Sequence, residues 1–439
     1  MRRPYIETPP KAEWMNDMEN RIEFTEAMKR DYTILIPNML PVHLQLVGDV
    51  FRLHGYRMEL LKNEGPAVVE TGLKYVHNDT CYPALLCIGQ FIDALQSGKY
   101  DVHKTALIIT QTGGGCRASN YIFLLRKALK KANLGFVPVI SLNPAGMEKN
   151  SGFKMTLTLL LQAMMMILYA DVLMCLKNQV EPYEDEKGTC ARLVERWADR
   201  LTEQFRRDPR IAALRIRENV KRIAREFDAV PVTPAEKVQV GIVGEIYVKY
   251  SQLANNHLER FLLEQGCQVH VPGLMGFLLN ALDHNIDDIN LYGGSRLKRW
   301  GCRRVMRFAD RVQRAIARAV KANSRLTPPE TYGQTRSALG GVLGVGCKMG
   351  EGWLLTAEMC ELIDSGVPNI VCVQPFGCLP NHIAGKGTIR AIRERYPGAN
   401  IVPIDYDPGA TRVNQENRLK LMLAVAREGS SQQPVASSQ

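Results

Sequence analysis

Residues 105–141 read TALIITQTGGGCRASNYIFLLRKALKKANLGFVPVIS and contain two apolar segments on either side of a helical one. Residues 105–110 are apolar and end in a glycine turn, residues 121–133 have helical periodicity, and residues 137–141 are apolar again. A strand, a helix and a second strand joined by short turns are typical of a parallel sheet covered by helices. The stretch therefore predicts an α/β fold.

The same alternation continues on both sides of this stretch. Upstream, we predict a strand at 33–37, a helix at 41–54 and a short extended segment at 66–69. Downstream, we predict strands at 237–245, 268–271, 369–374 and 400–405, and helices near 253–265, 300–325, 385–395 and 415–427. The whole pattern predicts two flavodoxin-like or Rossmann-like parallel-sheet domains joined by a helical segment.

The predicted organisation has five parts. They are a lead-in at 1–30, an α/β domain at 31–150, a helical segment at 151–235, a second α/β domain at 236–428 and a disordered tail at 429–439. Within the helical segment, residues 155–170 read MTLTLLLQAMMMILYA and carry no charge. This run is shorter than the about 20 apolar residues that cross a bilayer, so we expect a buried core helix and no membrane span.

The composition is that of an ordinary globular protein. Of 439 residues, 46% are hydrophobic and 23% are charged, which excludes a disordered, collagen-like or multi-span membrane chain. The net charge of +11 suits nucleic acid, an anionic cofactor or an acidic protein partner. Basic runs at helical spacing, such as the one at 296–307, are most simply a solvated helix face. They lack interleaved aromatic residues, so we expect no nucleic-acid partner.

Eleven cysteines are too sparse for a disulfide scaffold but numerous for a chain in a reducing compartment. The N-terminus has no apolar signal peptide, so we expect a cytoplasmic protein. In that compartment, abundant cysteine indicates metal, iron–sulfur or catalytic thiols.

Three cysteines lie where a parallel sheet binds ligands. Cys116 and Cys378 each follow a predicted strand, and Cys81 lies in a turn that leads into a helix. Glycines before Cys116 let the backbone approach a bulky ligand, and a helix N-terminus favours an anion such as a thiolate. These positions are consistent with three thiolates that converge on one cluster.

Other readings of the cysteines stay open. A lone cysteine is most often a small buried hydrophobe, and the GGGC loop resembles a phosphate loop without its Lys-Ser/Thr. The spacing of the three cysteines matches no compact ferredoxin or zinc pattern. Cys347 lies between glycines and is a candidate fourth ligand, whereas Cys372 lies within a strand and favours the core. The residues read as buried hydrophobes are Cys175, Cys190, Cys267 and Cys302.

Two further side chains are candidates for proton transfer or hydrogen bonding. Glu245 ends a predicted strand, where it can face the cleft between the domains as a proton donor or acceptor, or simply cap a helix. His382 follows Cys378 closely and can hydrogen-bond a cluster sulfur or a substrate, although capping alone would also explain it.

Several motifs together resemble the C-terminal part of the large activase-related proteins of the 2-hydroxyacyl-CoA dehydratase system. The motifs are NDTCYPA (78–84), ALIITQTGGGCRASNYIFLLRKALKKA (106–132), VGIVGEIYVKY (240–250), ANNHLERFL (254–262), GEGWLLTAEM (350–359), QPFGCLPNHIAGKG (374–387) and IVPIDYDPGATRVNQENRLKLML (401–423). The similarity runs over most of residues 70–428. The nucleotide site of the ATPase domains that precede this region in those long proteins is not evident here.

The resemblance implies an iron–sulfur protein related to the dehydratase component. It implies Cys81, Cys116 and Cys378 as ligands of a [4Fe-4S] cluster with one iron open to a substrate. It also implies a separate ATP-hydrolysing activator, with its own cluster, that supplies a low-potential electron. An acyl-CoA would then be the substrate, and a dimer the assembly.

Three alternatives remain at this point. A non-catalytic electron carrier within a larger complex would use a fourth protein ligand, for which Cys347 is the candidate. A double-cubane [8Fe-9S] cluster, found in some relatives, would need more thiolates from Cys87, Cys347 or Cys372. A zinc-stabilised or metal-free module that binds acyl-CoA would need no cluster.

Overall fold

The computed structural model describes residues 21–77, 79–112, 115–143, 148–208 and 215–431. These residues form two four-stranded sheets in which all strands are parallel. The first sheet contains β1 (Thr33–Ile36), β2 (Arg57–Leu60), β3 (Thr105–Thr110) and β4 (Val139–Leu142), and the second contains β5 (Val238–Gly244), β6 (Cys267–His270), β7 (Asn369–Pro375) and β8 (Asn400–Tyr406). The predicted α/β class with two parallel sheets is confirmed.

Helices connect the strands and form a layer of their own. Those of the first half are α1 (Glu26–Asp31), α2 (Pro41–Leu53), α3 (Pro66–Tyr75), α4 (Tyr82–Gln96), α5 (Tyr121–Lys131), α6 (Leu157–Val180), α7 (Thr189–Arg207) and α8 (Ile216–Asp228). Those of the second half are α9 (Ile246–Tyr250), α10 (Leu258–Glu264), α11 (Leu274–Tyr292), α12 (Arg296–Lys321), α13 (Tyr332–Ala338), α14 (Trp353–Asp364), α15 (Ile389–Arg395) and α16 (Arg412–Ser431).

Both sheets have the same strand order. The first runs β2-β1-β3-β4 and the second runs β6-β5-β7-β8. In each, the chain moves outward to one side and then returns past its first strand, so the order reverses between β1 and β3 and between β5 and β7. Open α/β sheets bind ligands at the carboxyl ends of the strands beside such a reversal. The topology alone therefore indicates the carboxyl edge of each sheet as the expected ligand-binding edge.

One predicted element is wrong. The extended segment expected at 66–69 is the start of α3, and the strand that pairs beside β1 is β2, which the pattern did not indicate. Gly65 has φ 96°, and Pro66 is the first residue of the helix, which is a position that proline favours. The pair of valines after Pro66 imitates a strand, whereas β2 is an edge strand with a single buried residue, Met58.

Helix α4 is shared by the cores of both sheets. Its residues from Tyr82 to Ile92 are all buried. Ala84, Ile88 and Phe91 pack in the core of the first sheet. Tyr82, Leu85 and Leu86 pack with apolar residues of β5 and β7 in the core of the second sheet. The helix therefore connects the two sheets through apolar contacts on opposite sides.

The helical segment predicted at 151–235 contains α6, α7 and α8. Within the described chain, the segment Leu157–Tyr183 is long and apolar enough to cross a membrane, with a mean hydropathy of 2.0, and 67% of its most apolar window is buried inside the protein. Most of α6 contributes to the largest hydrophobic core. That packing is the one expected of a core helix.

The two ends of the chain are described only in part. Residues 1–20 of the predicted lead-in and residues 432–439 of the predicted tail lie outside the described residues. Helix α16 continues to Ser431, so the first residues of the segment expected to be disordered from 429 are helical.

Close packing of α3 on α4 gives a test of this arrangement. A Cβ atom added to Gly89 would lie 2.9 Å from the backbone nitrogen of Gly72 and closer still to the carbonyl oxygen of Val68. We expect Gly89→Ala to lower the free energy of unfolding by about 2 kcal/mol in urea titrations, because overpacking against backbone outweighs the gain in helix propensity.

The matched control is Gly276→Ala in α11, where an added Cβ meets nothing within 4 Å. This control should be neutral or stabilise the protein by up to about 1 kcal/mol. Equal effects of the two substitutions would contradict the close contact between α3 and α4.

Candidate functional site

The candidate residues occupy the carboxyl edges of both sheets. Cys116 follows β3, Cys378 follows β7, and Glu245 is the first residue after β5. Cys81 directly precedes α4, the helix that both cores share. Glu245 and Cys378 therefore lie on either side of the place where the strand order of the second sheet reverses, between β5 and β7.

The three thiols lie close enough to act on one another. Burial is the main cause that raises the pKa of Cys81, followed by the carboxyl of Glu245 and, more weakly, by the thiols of Cys378 and Cys116. Burial also raises the pKa of Cys116, and the carboxyls of Glu351 and Glu245 add to that effect. Groups from both sheets and from α4 thus converge on one site.

Each of the three thiols has a hydrogen-bond donor beside it. The hydroxyl of Tyr121 donates to Cys81, and the backbone amides of Ala118 and Arg117 face Cys116. The side-chain Nδ2 of Asn381 lies 3.4 Å from the sulfur of Cys378 and donates to it. Such donors stabilise a thiolate, so they oppose the burial that raises the pKa of Cys378 to about 12.

Two carboxyls complete the site: that of the buried Glu351 and that of the partly exposed Glu245. Glu245 Oε2 accepts the amide of Val248 at 2.8 Å, and Glu351 Oε1 accepts the amide of Ile246 at 2.9 Å. Burial raises the pKa of both carboxyls, and the proximity of Glu351 raises that of Glu245 further. Glu245 therefore caps α9, as one reading of the sequence expected, and it also acts on the three thiols.

His382 is held beside the site by its backbone. Its backbone amide donates to the carbonyl of Cys378 at 3.0 Å, in the helical turn that follows the cysteine. The ring nitrogen Nδ1 is buried and has no hydrogen-bond partner among the described residues. The bond to the sulfur of Cys378 comes from Asn381 instead, which the sequence reasoning missed. Its position three residues after the cysteine, at helical spacing, was the available signal.

Cys347 is not among the groups that act on the three thiols. Burial alone raises its pKa, and its carbonyl accepts the amide of Trp353 at 2.7 Å. The same loop reaches the site through Met349, because a Cβ atom added to Gly115 would lie 3.0 Å from the Met349 Cε and closer still to its sulfur. The loop therefore covers the backbone before Cys116 with a thioether.

The other cysteines proposed as additional ligands are buried in hydrophobic cores. Cys87 packs in the core of the second sheet, with its pKa raised by burial to about 12. Cys372 lies within β7, and burial raises its pKa to about 12 as well. Neither appears among the groups that act on Cys81, Cys116 or Cys378.

The donor types at the site are those that an iron–sulfur cluster uses. Three thiols with N–H or O–H donors are the ligands and hydrogen bonds of such a cluster. Among the residues that the structure describes, no three His, Cys, Asp or Glu side chains are placed to hold one metal ion.

No family model matches this chain, and no curated protein matches it. The fold and the site therefore define the protein by structure alone. It is an α/β protein with two parallel sheets and a partly buried group of three thiols and two carboxyls at their carboxyl edges.

The raised pKa of Glu245 predicts how stability depends on pH in the metal-free protein. Its pKa in the folded state is raised from 4.5 to about 8, so the stability contributed by the bound proton is complete below pH 4.5 and is lost as the pH rises through about 8. We expect Glu245→Gln to remove this loss. Above pH 4.5, the free energy of unfolding of the variant should rise relative to that of the native chain by at most about 1.4 kcal/mol per pH unit.

Urea titrations at several pH values measure this difference, with Glu264→Gln as the control. Glu264 is exposed and paired with Arg260 at 2.9 Å, so its replacement should leave the pH profile unchanged. A Glu245→Gln variant that loses stability as the pH rises, in parallel with the native chain, would show that this carboxyl is ionised when buried.

Proposed function

We propose that this protein holds an iron–sulfur cluster on Cys81, Cys116 and Cys378 and passes an electron from it to a bound substrate. The observation that carries the proposal is the convergence of these three thiols at the carboxyl edges of two parallel sheets. In a reducing compartment, neighbouring thiols that carry hydrogen-bond donors are typical of metal clusters rather than disulfides.

The number of thiols favours a [4Fe-4S] cluster over the double-cubane [8Fe-9S] form. Three thiolates leave one iron of a four-iron cluster without a protein ligand, and that iron can accept a substrate or water. The larger cluster would need further thiolates, whereas Cys87 and Cys372 are packed in hydrophobic cores and Cys347 is not grouped with the three. When bound, the cluster supplies one-electron chemistry at a potential that its surroundings set.

The side chains around the thiols have separate roles in this proposal. Tyr121 and Asn381 orient Cys81 and Cys378 through hydrogen bonds to the sulfurs and stabilise the negative charge there. Glu245, whose pKa is raised to about 8, and Glu351, whose pKa is also raised by burial, are the acids that act on the thiols. We assign proton delivery to Glu245, since it acts on all three thiols.

The reaction system is proposed from the resemblance of the motifs. In the 2-hydroxyacyl-CoA dehydratase system, an ATP-hydrolysing activator delivers a low-potential electron to the component that holds the substrate. By analogy, we propose a separate activator as the electron donor, an acyl-CoA as the substrate, and a cytoplasmic dimer as the working form.

An electron carrier without a substrate is the alternative function. A carrier would bind its cluster through four protein ligands, and Cys347 is the cysteine that the sequence offers for the fourth. The two functions therefore differ in what Cys347 does and in whether an acyl-CoA reaches the cluster.

Single serine substitutions test the ligand set. We expect Cys81→Ser, Cys116→Ser and Cys378→Ser each to lose most of the visible absorption and the reduced-state electron paramagnetic resonance of the anaerobically reconstituted protein, because a thiolate ligand is removed. Cys347→Ser should keep both signals. Cys302→Ser is the control for cysteine replacement outside the site.

Loss of the cluster in Cys347→Ser, with a normal fold by circular dichroism, would favour the carrier. Retention of the cluster in Cys81→Ser, Cys116→Ser and Cys378→Ser would contradict the proposal that these cysteines bind it.

Substrate access is tested by adding an acyl-CoA to the reduced, cluster-loaded protein. If one iron is open, we expect the paramagnetic resonance of the cluster to change with the acyl-CoA and to stay unchanged with free coenzyme A. A spectrum that no acyl-CoA alters would support a carrier with a closed cluster.

A further inference from the structure

The hairpin formed by the end of α11 and the first half of α12 has an unusual surface. We call residues 291–308 the basic hairpin. Its turn contains Gly293 and Gly294, with φ of 83° and 146°, which only glycine adopts without strain. Helix α12 has 26 residues, and its buried ones all lie at or beyond Ala309. The first half of α12 therefore carries no residue that is buried against the rest of the protein.

Large apolar side chains are exposed along the basic hairpin. Tyr292 is 75% exposed and Leu297 is 76% exposed. The other exposed members are Leu291, Trp300, Val305 and Phe308. A contiguous group of large apolar side chains that keeps this exposure in the folded chain marks an interaction site.

Cations surround these apolar side chains without neutralising partners. The cations of the basic hairpin are Arg296, Lys298, Arg299, Arg303, Arg304 and Arg307. None of them forms an ion pair with any residue in the described part of the chain; the only acid of α12, Asp310, pairs with Arg314. The charge complementary to this surface is therefore negative and comes from another molecule.

The positions of the basic and apolar side chains around α12 favour one of two anionic partners, a lipid bilayer rather than a folded acidic protein. At about 100° per residue, Arg296, Arg303 and Arg307 share one side of the helix. Leu297, Val305 and Phe308 lie on the other side, next to the stripe that is buried further along, and Lys298 and Arg304 border them there. A folded acidic protein would contact one of these sides, whereas the interface of a bilayer accepts both at once. Apolar side chains enter the acyl region while long basic side chains extend to the headgroups.

We propose that the basic hairpin binds the surface of an anionic lipid bilayer. Trp300 and Tyr292 have the amphipathic rings that are enriched at membrane interfaces, and the Arg304 guanidinium lies 5.2 Å from the centre of the Trp300 ring. The cytoplasmic leaflet is negatively charged and attracts clusters of lysine and arginine. This binding is peripheral, and it is independent of whether the protein holds a cluster.

A second copy of the chain and nucleic acid fit this surface less well. Packing two basic hairpins together would bring two sets of unpaired cations close to each other, with Lys298 on the apolar side of the helix. Nucleic acid would satisfy the cations but would leave Leu297, Val305 and Phe308 exposed. Both partners remain measurable outcomes of the test.

Vesicle co-sedimentation of the full chain tests the proposal. We expect binding to phosphatidylcholine vesicles that contain about 30% phosphatidylserine, no binding to pure phosphatidylcholine, and weaker binding as the salt concentration rises. The combined variant Arg303→Glu, Arg304→Glu and Arg307→Glu should bind at least about 100-fold more weakly. The variant Leu297→Ser and Trp300→Ser, which keeps every charge, should also bind more weakly.

The charge-matched control is Lys104→Glu, Lys127→Glu and Lys131→Glu, three exposed lysines of the first α/β unit. It should bind the anionic vesicles like the native chain. Equal loss in this control would overturn the proposal, because net charge alone would then explain the binding. Absence of binding to anionic vesicles would also overturn it. So would a basic hairpin that instead drives self-association in sedimentation velocity, or that binds an oligonucleotide more tightly than vesicles.

Discussion

The structure depends on one apolar helix that two parallel sheets share. Helix α4 is buried from Tyr82 to Ile92, with one side in the core of the first sheet and the other in the core of the second. Few helices in globular proteins are apolar all round, because most face water on one side. Here the burial positions the start of the helix, and with it Cys81, between the carboxyl edges of the sheets. Cys116 and Cys378 come close to Cys81 because they lie in the loops that follow β3 and β7.

The same burial determines the chemistry of the site. Three thiols and two carboxyls lie where water is scarce, so their uncharged forms are favoured and their pKa values are raised. Without a metal, the site therefore holds protons. Binding of a cluster requires the thiols to release them, which couples the cluster to proton transfer. The donors from Tyr121, Asn381 and the backbone reduce the free-energy cost of that release.

The sequence predicted the strands that are apolar along their length and missed what depends on tertiary contacts. Strands β3 and β7 are continuous apolar runs, and loop cysteines after them mark the carboxyl edge of a parallel sheet. Edge strand β2 has no such run, and the valines after Pro66 suggested a strand where a helix begins. The contact of Met349 with the backbone before Cys116, and the hydrogen bond from Asn381, depend on how loops pack. The hydrophobic periodicity of the sequence carries no information about loop packing.

The iron and acid-labile sulfide content of anaerobically purified protein tests whether the three cysteines hold a cluster. We expect about four atoms of each per chain, in line with three thiolates around one four-iron cluster. About eight irons would contradict the three-cysteine site and require thiolates that the structure keeps in hydrophobic cores. Protein that contains neither iron nor sulfide after anaerobic purification would contradict the cluster itself.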